Sequence, residues 1–218
     1  MAIVWFGCSR TVRHAESPKR GDGSERVLRI IAGTAKGRTL KMPRKDSVRP
    51  TADRVKETIF NVLGQWLDGD RVLDLYAGAG SLGLEALSRG AVHATFVERD
   101  PDVMATLAEN VRTLGFSLAS TTLLKPMDRA VRTLGSQAHT FTLVLADPPY
   151  AARAGESVLR ELDASGVMPP GARLVLEHDR REVLPPQVGA LDRTDERRFG
   201  DTLVSFYVAR PADPVAAT

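Results

Sequence analysis

Two short stretches of the sequence combine residue types that could do chemistry. The first, DPPY at residues 147–150, follows the apolar run FTLVLA. A carboxylate, a carbonyl held by rigid proline rings and a flat aromatic ring together suit a planar group that carries an amine. The second, LDLYAGAGSLG, has glycines at positions 78, 80 and 83 in G-x-G-x-x-G spacing. Between a strand and a helix, that spacing is typical of a turn that binds a nucleotide-like cofactor.

The acidic residues around the glycine turn indicate which cofactor it binds. Glu98 ends the next predicted strand, 20 residues after Gly78, and a carboxylate there can accept hydrogen bonds from ribose hydroxyls. Asp74 lies just before the glycines, where a pyrophosphate would favour neutral or basic surroundings. An ammonium group, such as that of S-adenosylmethionine, suits Asp74 better. Two alternatives stay open: the glycines could serve only a tight turn, and Asp74 could only cap a strand end.

The DPPY stretch suggests amine methylation. An exocyclic amine on a nucleobase is a poor nucleophile, because its lone pair is delocalised into the ring. Asp147, ionised near neutral pH, can accept one N–H and the carbonyl of Pro148 the other, which orients the lone pair toward a methyl donor. Tyr150 offers a face on which the base can stack. The alternative is a stiff turn in which Tyr150 is a core aromatic.

The elements that must position these residues alternate along the chain. From residue 71 onward, apolar strand patterns and periodic helix patterns follow one another in five strand–helix units, which predicts an α/β fold with a parallel, doubly wound, Rossmann-like sheet. The last two strand patterns, around the turn Gly200-Asp201, predict an antiparallel pair at the sheet edge. In such a sheet, ligands bind at the carboxyl ends of the strands where strand order reverses, so the fourth strand should lie across the crevice from the first.

The first 68 residues differ from the rest. We expect residues 1–26 to be a flexible leader, and 27–68 a basic β-hairpin and helix that close over the substrate and cofactor. A methyltransferase domain over 69–210 and a tail over 211–218 would complete the chain. Residues 26–56 hold ten lysines and arginines against two aspartates, a local charge of +8, whereas the whole chain carries +3. That asymmetry fits a polyanionic partner, although a merely solvated surface stays open.

Composition excludes several classes of protein. The apolar runs are too short to cross a bilayer and the first ten residues do not form a secretory signal, so we expect a cytoplasmic protein that acts as a monomer and has no membrane partner. The single cysteine, Cys8, cannot form an internal disulfide. The four histidines share no metal-ligand spacing. We therefore expect no metal, and methyl transfer from a sulfonium to nitrogen requires none.

Five stretches, RIIAGTAKGR, RPTADRVKETIFNVL, LDLYAGAGSLGLEALSRGA, FVERD and DPPY, together resemble the bacterial 16S ribosomal RNA guanine-N2 methyltransferases of the small-subunit methyltransferase D family. The match spans roughly residues 28 to 210. The RPTADRVKETIFN stretch is the most diagnostic, since DPPY also occurs in DNA adenine and glutamine amide methyltransferases. The resemblance implies methyl transfer from S-adenosylmethionine to the 2-amino group of one guanine of 16S rRNA, within an assembling or assembled small ribosomal subunit.

The resemblance also implies roles for individual residues. The catalytic set would be Asp147, Pro148 and Tyr150. The cofactor-binding set would be Asp74, Tyr76, Ala77, Gly78, Gly80, Glu98, Arg99, Thr51 and Asp128, the last of these at the adenine ring. The RNA-binding set would be Arg29, Lys36, Arg38, Arg49 and Arg54; of these, we expect Arg29, Lys36, Arg38 and Arg49 to contact phosphates.

Three other functions compete with this interpretation. A DNA or other nucleobase amino-methyltransferase shares both motifs, but usually carries a larger target-reading domain than the short basic hairpin here. A nicotinamide oxidoreductase would explain the glycines and Glu98, but it would give the DPPY stretch no function. A non-enzymatic RNA-binding module would not require Asp147 beside a cofactor turn.

Overall fold

The computed structural model describes residues 28–43, 53–149 and 154–211, so the predicted leader and most of the predicted tail lie outside it. Its helices are α1 (Asp53–Leu63), α2 (Ser81–Ser88), α3 (Pro101–Leu114), α4 (Met127–Ser136) and α5 (Gly155–Ser165), with a short 3-10 turn at Ser117–Ala119. Its strands are β1 (Arg71–Leu75), β2 (His93–Glu98), β3 (Ser120–Leu124), β4 (Leu143–Ala146), β5 (Arg173–Asp179), β6 (Gln187–Val188), β7 (Leu191–Phe199) and β8 (Thr202–Ala209).

The strands form one mixed sheet in the order β3-β2-β1-β4-β5-β8-β7-β6. The first five strands in this order are parallel, and the last three pair antiparallel. The predicted doubly wound sheet with an antiparallel edge is therefore confirmed. The two-residue strand β6 has no recognisable period in the sequence and was not predicted. Strand order reverses between β1 and β4, which pair directly, as expected for the crevice.

Helices cover both faces of the central strands, which explains their apolar sequences. All four residues of β4 and four of the five in β1 are buried, as expected for parallel strands between two helical layers. One hydrophobic core includes side chains of α1, α2, α3 and the N-terminal segment 28–43. The other core includes α4 and α5. Among the described residues, no helix is both long and apolar enough to cross a membrane.

The predicted N-terminal hairpin is present only in outline. Two extended pieces of the segment 28–43 meet at one antiparallel bridge, between Arg29 and Thr39, and neither piece forms a regular strand. Backbone bonds join the two pieces, such as that from the Ile30 N–H to the Arg38 carbonyl, at 2.9 Å, while other backbone groups of the segment bond to helices. Ala35 donates its N–H to the Ser88 hydroxyl on α2, at 2.9 Å, and Lys41 donates its N–H to Asn110 on α3, at 2.8 Å.

Asn110 also connects this segment to the glycine turn. Its side chain is 3% exposed. The amide group donates to the carbonyl of Lys41, at 3.0 Å, and to that of Ala79, at 2.9 Å. One side chain therefore fixes the backbone of both stretches.

Glu85, on α2, holds three parts of the chain together. Its carboxylate is fully buried and accepts the N–H groups of Ile31, at 2.7 Å, and Ala32, at 3.0 Å. It also accepts a bond from Arg89 Nε, at 2.9 Å. The buried ammonium of Lys56 on α1 lies 3.6 Å away and donates to the carbonyl of Arg29. Burial lowers the pKa of Lys56, while the charge of Glu85 opposes that shift.

We expect Glu85→Ala to lower the free energy of unfolding by about 3–5 kcal/mol, because two buried cations and two backbone N–H groups lose their acceptor. Urea denaturation followed by circular dichroism measures the change. Glu156→Ala is the matched control, since Glu156 forms an exposed ion pair with Arg160 on α5, and such pairs contribute less than about 1 kcal/mol. Equal losses in the two variants would contradict the importance of the buried network.

Candidate active site

The candidate site lies at the carboxyl ends of β1, β2 and β4. Leu75 and Ala146, the last residues of β1 and β4, are directly paired. Tyr76 and Asp147 follow them, so the glycine turn and the DPPY stretch leave the sheet from neighbouring positions about 4.8 Å apart. Asp147 is half-buried and Pro148 is buried. Tyr150 lies outside the described residues, so its predicted stacking role stays a prediction.

The glycine turn has two kinds of glycine. Gly80 has a φ of 88°, and a Cβ there would lie 2.5 Å from Leu107 Cδ1. A Cβ at Gly83 would lie 2.4 Å from the Phe96 ring. Packing alone therefore accounts for these two glycines. Gly78 differs from them, because it is only partly buried and has a φ of 56°, which leaves its backbone open to close approach by a ligand.

Asp74 connects strand β1 to the start of helix α2. It is 2% exposed, and its Oδ2 accepts the N–H of Gly83 in the first turn of the helix, at 2.8 Å. Burial raises the pKa of Asp74 to about 7, the bond from Gly83 opposes the shift, and the charge of Glu98 adds to it. This bond gives Asp74 a structural role at the start of α2. Contact with a cofactor ammonium group stays a prediction.

Glu98 holds the two loops beside the crevice together. Its Oε2 accepts the N–H of Gly78, at 3.1 Å, and its Oε1 accepts those of Arg99 and Asp100, at 2.7 and 2.8 Å. A carboxylate has about four lone-pair positions, so three backbone bonds are compatible with one more from a ribose hydroxyl. The side chain is half-buried, and its contact with a cofactor ribose stays a prediction.

Tyr76, Arg99 and Asp128 come together on the side of the site nearer α4. Tyr76 has a φ of 60°, a conformation that costs a residue other than glycine about 1 kcal/mol or more and is often found at ligand sites. Burial raises the pKa of Tyr76, the charge of Arg99 lowers it and the charge of Asp128 raises it, so both charged residues act on the Tyr76 hydroxyl. Ala77 is buried and donates its N–H to the carbonyl of Val97, at 2.9 Å.

Ser81 is a candidate that the sequence reasoning missed. It is the first residue of α2, where the helix begins without a side-chain cap. Its buried hydroxyl has no hydrogen-bond partner among the described residues. A helix N-terminus favours a negative group, so this hydroxyl suits a carboxylate such as that of S-adenosylmethionine. The serine directly after G-x-G is the signal that could have identified it.

These features fit the predicted cofactor. Asp74 is suited to the ammonium group, Ser81 and the start of α2 to the carboxylate, and Glu98 to the ribose. Asp128 would lie at the adenine ring. Within the described ranges, no cluster of histidine, cysteine, aspartate or glutamate could hold a metal ion.

The predicted RNA-binding residues are spread along the molecule. Arg29 pairs with Asp53 at the start of α1, at 3.0 Å. Arg38 donates to the carbonyl of Thr113 near the end of α3, at 2.8 Å, and the turn that carries Lys36 packs against Ser88, the last residue of α2. Because α2 and α3 run away from the crevice, Lys36 and Arg38 lie near the ends of these helices, at the opposite edge of the sheet from the crevice. Their predicted phosphate contacts would concern RNA distant from the target base.

Three predicted residues of the site, Arg49, Thr51 and Tyr150, lie outside the described ranges. Arg54, in the first turn of α1, is exposed at the crevice side of the molecule.

Comparison with known proteins shows the family. The family model described as "Conserved hypothetical protein 95" matches residues 28–208. The YlbH protein of Bacillus subtilis (strain 168) is 39% identical over 183 residues, which are 84% of this chain and 100% of the relative. "Ribosomal RNA small subunit methyltransferase D" of Escherichia coli (strain K12) is 35% identical over 158 residues, 72% of this chain and 78% of the relative.

Solved structures show the same fold. A hypothetical protein of Thermus thermophilus superimposes with a TM-score of 0.72 at 33% identity, covering 83% of this chain and 98% of the other. The family match begins at residue 28, where the resemblance in the sequence was expected to begin.

The buried carboxyl of Asp74 gives a testable pH dependence. Its pKa in the folded protein, about 7, lies above the value of about 4 in an unfolded chain, so the folded state binds more protons between these values. Stability should therefore fall as pH rises from about 4 to about 7, by up to about 1.4 kcal/mol per pH unit from this group. We expect Asp74→Asn to remove that contribution in urea denaturation at several pH values.

Asp195→Asn is the control, since Asp195 is an aspartate of the sheet edge that pairs with Arg197. If both variants keep the pH dependence of the original protein, Asp74 is not the titrating group.

Proposed function

The chain belongs to the ribosomal RNA small-subunit methyltransferase D family, and we propose that it transfers a methyl group from S-adenosylmethionine to the exocyclic N2 amine of one guanine in 16S rRNA. One observation carries the proposal, namely the direct pairing of β1 with β4. It brings the cofactor turn and the amine-binding motif to the same edge of the sheet, in neighbouring positions.

Asp147 and Pro148 would hold the amine. The carboxylate of Asp147 accepts one N–H of the guanine 2-amino group, and the carbonyl of Pro148 accepts the second. The two acceptors draw the lone pair out of conjugation and fix its direction, a gain in orientation that can contribute several kcal/mol to catalysis. When bound, S-adenosylmethionine supplies the electrophilic methyl group. The methylated amine then loses its extra proton to Asp147 or to water.

The surroundings of the motif support this role. The strand before it is fully buried, so Asp147 projects from a rigid element rather than from a long loop. The two proline rings restrict the backbone after Asp147 and offer no N–H that could compete with the amine. A target guanine has to leave its stack to reach such a site, which is the usual mode for enzymes that modify a base.

The choice of rRNA as substrate rests on the relatives. The Escherichia coli and Haemophilus influenzae relatives are both named as methyltransferases of small-subunit ribosomal RNA. A DNA amino-methyltransferase would share the glycine turn and the DPPY motif, but neither of these names supports DNA. We propose that the RNA is presented within an assembling or assembled small subunit, to a monomeric enzyme in the cytoplasm.

The test of this function is mass spectrometry of 16S rRNA from a strain in which the gene is deleted. We expect one N2-methylguanine to be absent and to return when the gene is supplied on a plasmid. Purified protein with S-adenosylmethionine should restore the same modification on small subunits from the deletion strain. If the deletion strain keeps every N2-methylguanine, the proposed substrate is wrong.

Asp147→Ala should keep the affinity for S-adenosylmethionine and lose methyl transfer by about 100–1,000-fold, the usual effect of removing one positioned hydrogen-bonding group from a transition state. Single-turnover methylation of small subunits measures the rate, and calorimetry measures the cofactor affinity. Asp192→Ala is the control, because Asp192 pairs with Arg210 on the far antiparallel edge. An active Asp147→Ala variant would end the proposed mechanism.

A further inference from the structure

A second concave site lies beside the candidate active site, on strands that the sequence reasoning did not connect with function. It is a pocket of about 310 Å³ between the start of α1, the end of β5 and the turn that joins β7 to β8. Its lining includes Arg54, Glu177, Arg198, Phe199 and Thr202. The volume is at the lower end of the range for small-ligand pockets, about 300–1,000 Å³.

The sheet register places this pocket next to the DPPY motif. Ala146 of β4 pairs with Leu176 of β5, so the residues that follow them, Asp147 and Glu177, lie on adjacent strands. The glycine turn lies on the opposite side of β4, at the end of β1. The pocket is therefore on the side of Asp147 away from the glycine turn.

The charges of the pocket differ from those of the surface around it. Four neighbouring arginines are each neutralised by a carboxylate within 2.9 Å: Arg180 by Asp201, Arg181 by Asp179, Arg193 by Glu196 and Arg197 by Asp195. Within the described part of the chain, Arg54 and Arg198 take part in no such pair, and both are exposed. Arg198 Nε donates to the carbonyl of Gly200, at 3.1 Å.

The position of each charge limits what can bind. Glu177 is 6% exposed and forms part of the buried lining, so its carboxylate disfavours a phosphate deep in the pocket. The two exposed guanidinium groups, from α1 and from the β7–β8 turn, lie at the rim instead. Guanidinium groups bind phosphate through paired N–H donors. Half-buried Phe199 adds an apolar wall between the rim and the core.

We propose that this pocket binds the RNA strand next to the target guanine, with Arg198 and Arg54 on a backbone phosphate of the flanking nucleotide. The proposal rests on the proposed function and extends it by a contact that positions the substrate. Arg198 would act by placing the RNA so that the target base enters the site beside Asp147. It would have no part in cofactor binding.

The test uses full-length protein and small ribosomal subunits from the deletion strain. Binding is measured over a series of KCl concentrations. We expect Arg198→Ala to bind about tenfold more weakly, as for the loss of one hydrogen bond to a charged group. The slope of log K against log salt should fall by about 0.7–0.9 for one lost phosphate contact. Arg198→Lys should keep most of the slope, and cofactor affinity should not change.

Arg197→Ala is the matched control, because Arg197 is the adjacent arginine and already pairs with Asp195. It should bind subunits as the original protein does. If Arg198→Ala and the double variant Arg54→Ala/Arg198→Ala keep the wild-type affinity for subunits and the wild-type salt slope, the proposed phosphate site is wrong. Weaker binding with an unchanged slope would also overturn it, since the loss would then not be electrostatic.

The two proposals fail in different ways. If the original protein does not methylate the subunits, the proposed function is wrong whatever the binding data show. If it methylates them and Arg198→Ala methylates with the same KM and kcat, only the pocket assignment is wrong. We expect a raised KM with a smaller change in kcat, the result of lost substrate binding.

Discussion

The arrangement of the molecule depends on one buried carboxylate, that of Glu85. It is fully buried and takes donors from the N-terminal segment and from α2, with the Lys56 ammonium of α1 close by. A buried charge is tolerated only when partners surround it, so these parts of the chain cannot shift independently. Because α2 begins at the glycine turn and α1 carries Arg54 at its start, the same interaction fixes the cofactor side of the site relative to the proposed RNA side.

Neighbouring strands of the sheet each position a different part of the candidate site. Glu98 lies at the end of β2 and the glycine turn follows β1. Asp147 follows β4, and Glu177 of β5 lines the pocket that contains Arg54 and Arg198. Each step across the sheet is about 4.8 Å, so cofactor, target amine and flanking RNA can be bound side by side without a large insertion. The antiparallel β7–β8 hairpin extends this row and adds Arg198 from a turn.

The sequence predicted the parts of this arrangement that periodicity controls. Alternating strand and helix patterns indicated the parallel sheet, and the rule of strand reversal placed Asp147 opposite the glycine turn. Periodicity could not show that Ile31 and Ala32 bond to Glu85, because a buried carboxylate in a helix pattern has the same letters as a solvated one. For that reason the predicted hairpin has a single bridge, and part of its backbone bonds to Glu85 instead. The pocket was missed because it requires the register of β5 with β8. The Ser81 hydroxyl, which has no hydrogen-bond partner in the described part of the chain, can be recognised only when its neighbours are placed.

Asn110 tolerates fewer replacements than its modest size suggests. Its amide nitrogen donates hydrogen bonds to two carbonyls, and its amide oxygen accepts one from a backbone N–H. Aspartate has the same shape, but it would set a negative charge against the carbonyl oxygens of Lys41 and Ala79. Serine is too short to reach three partners. The three hydrogen bonds of this buried side chain therefore constrain the residue type at position 110 as closely as a ligand contact would.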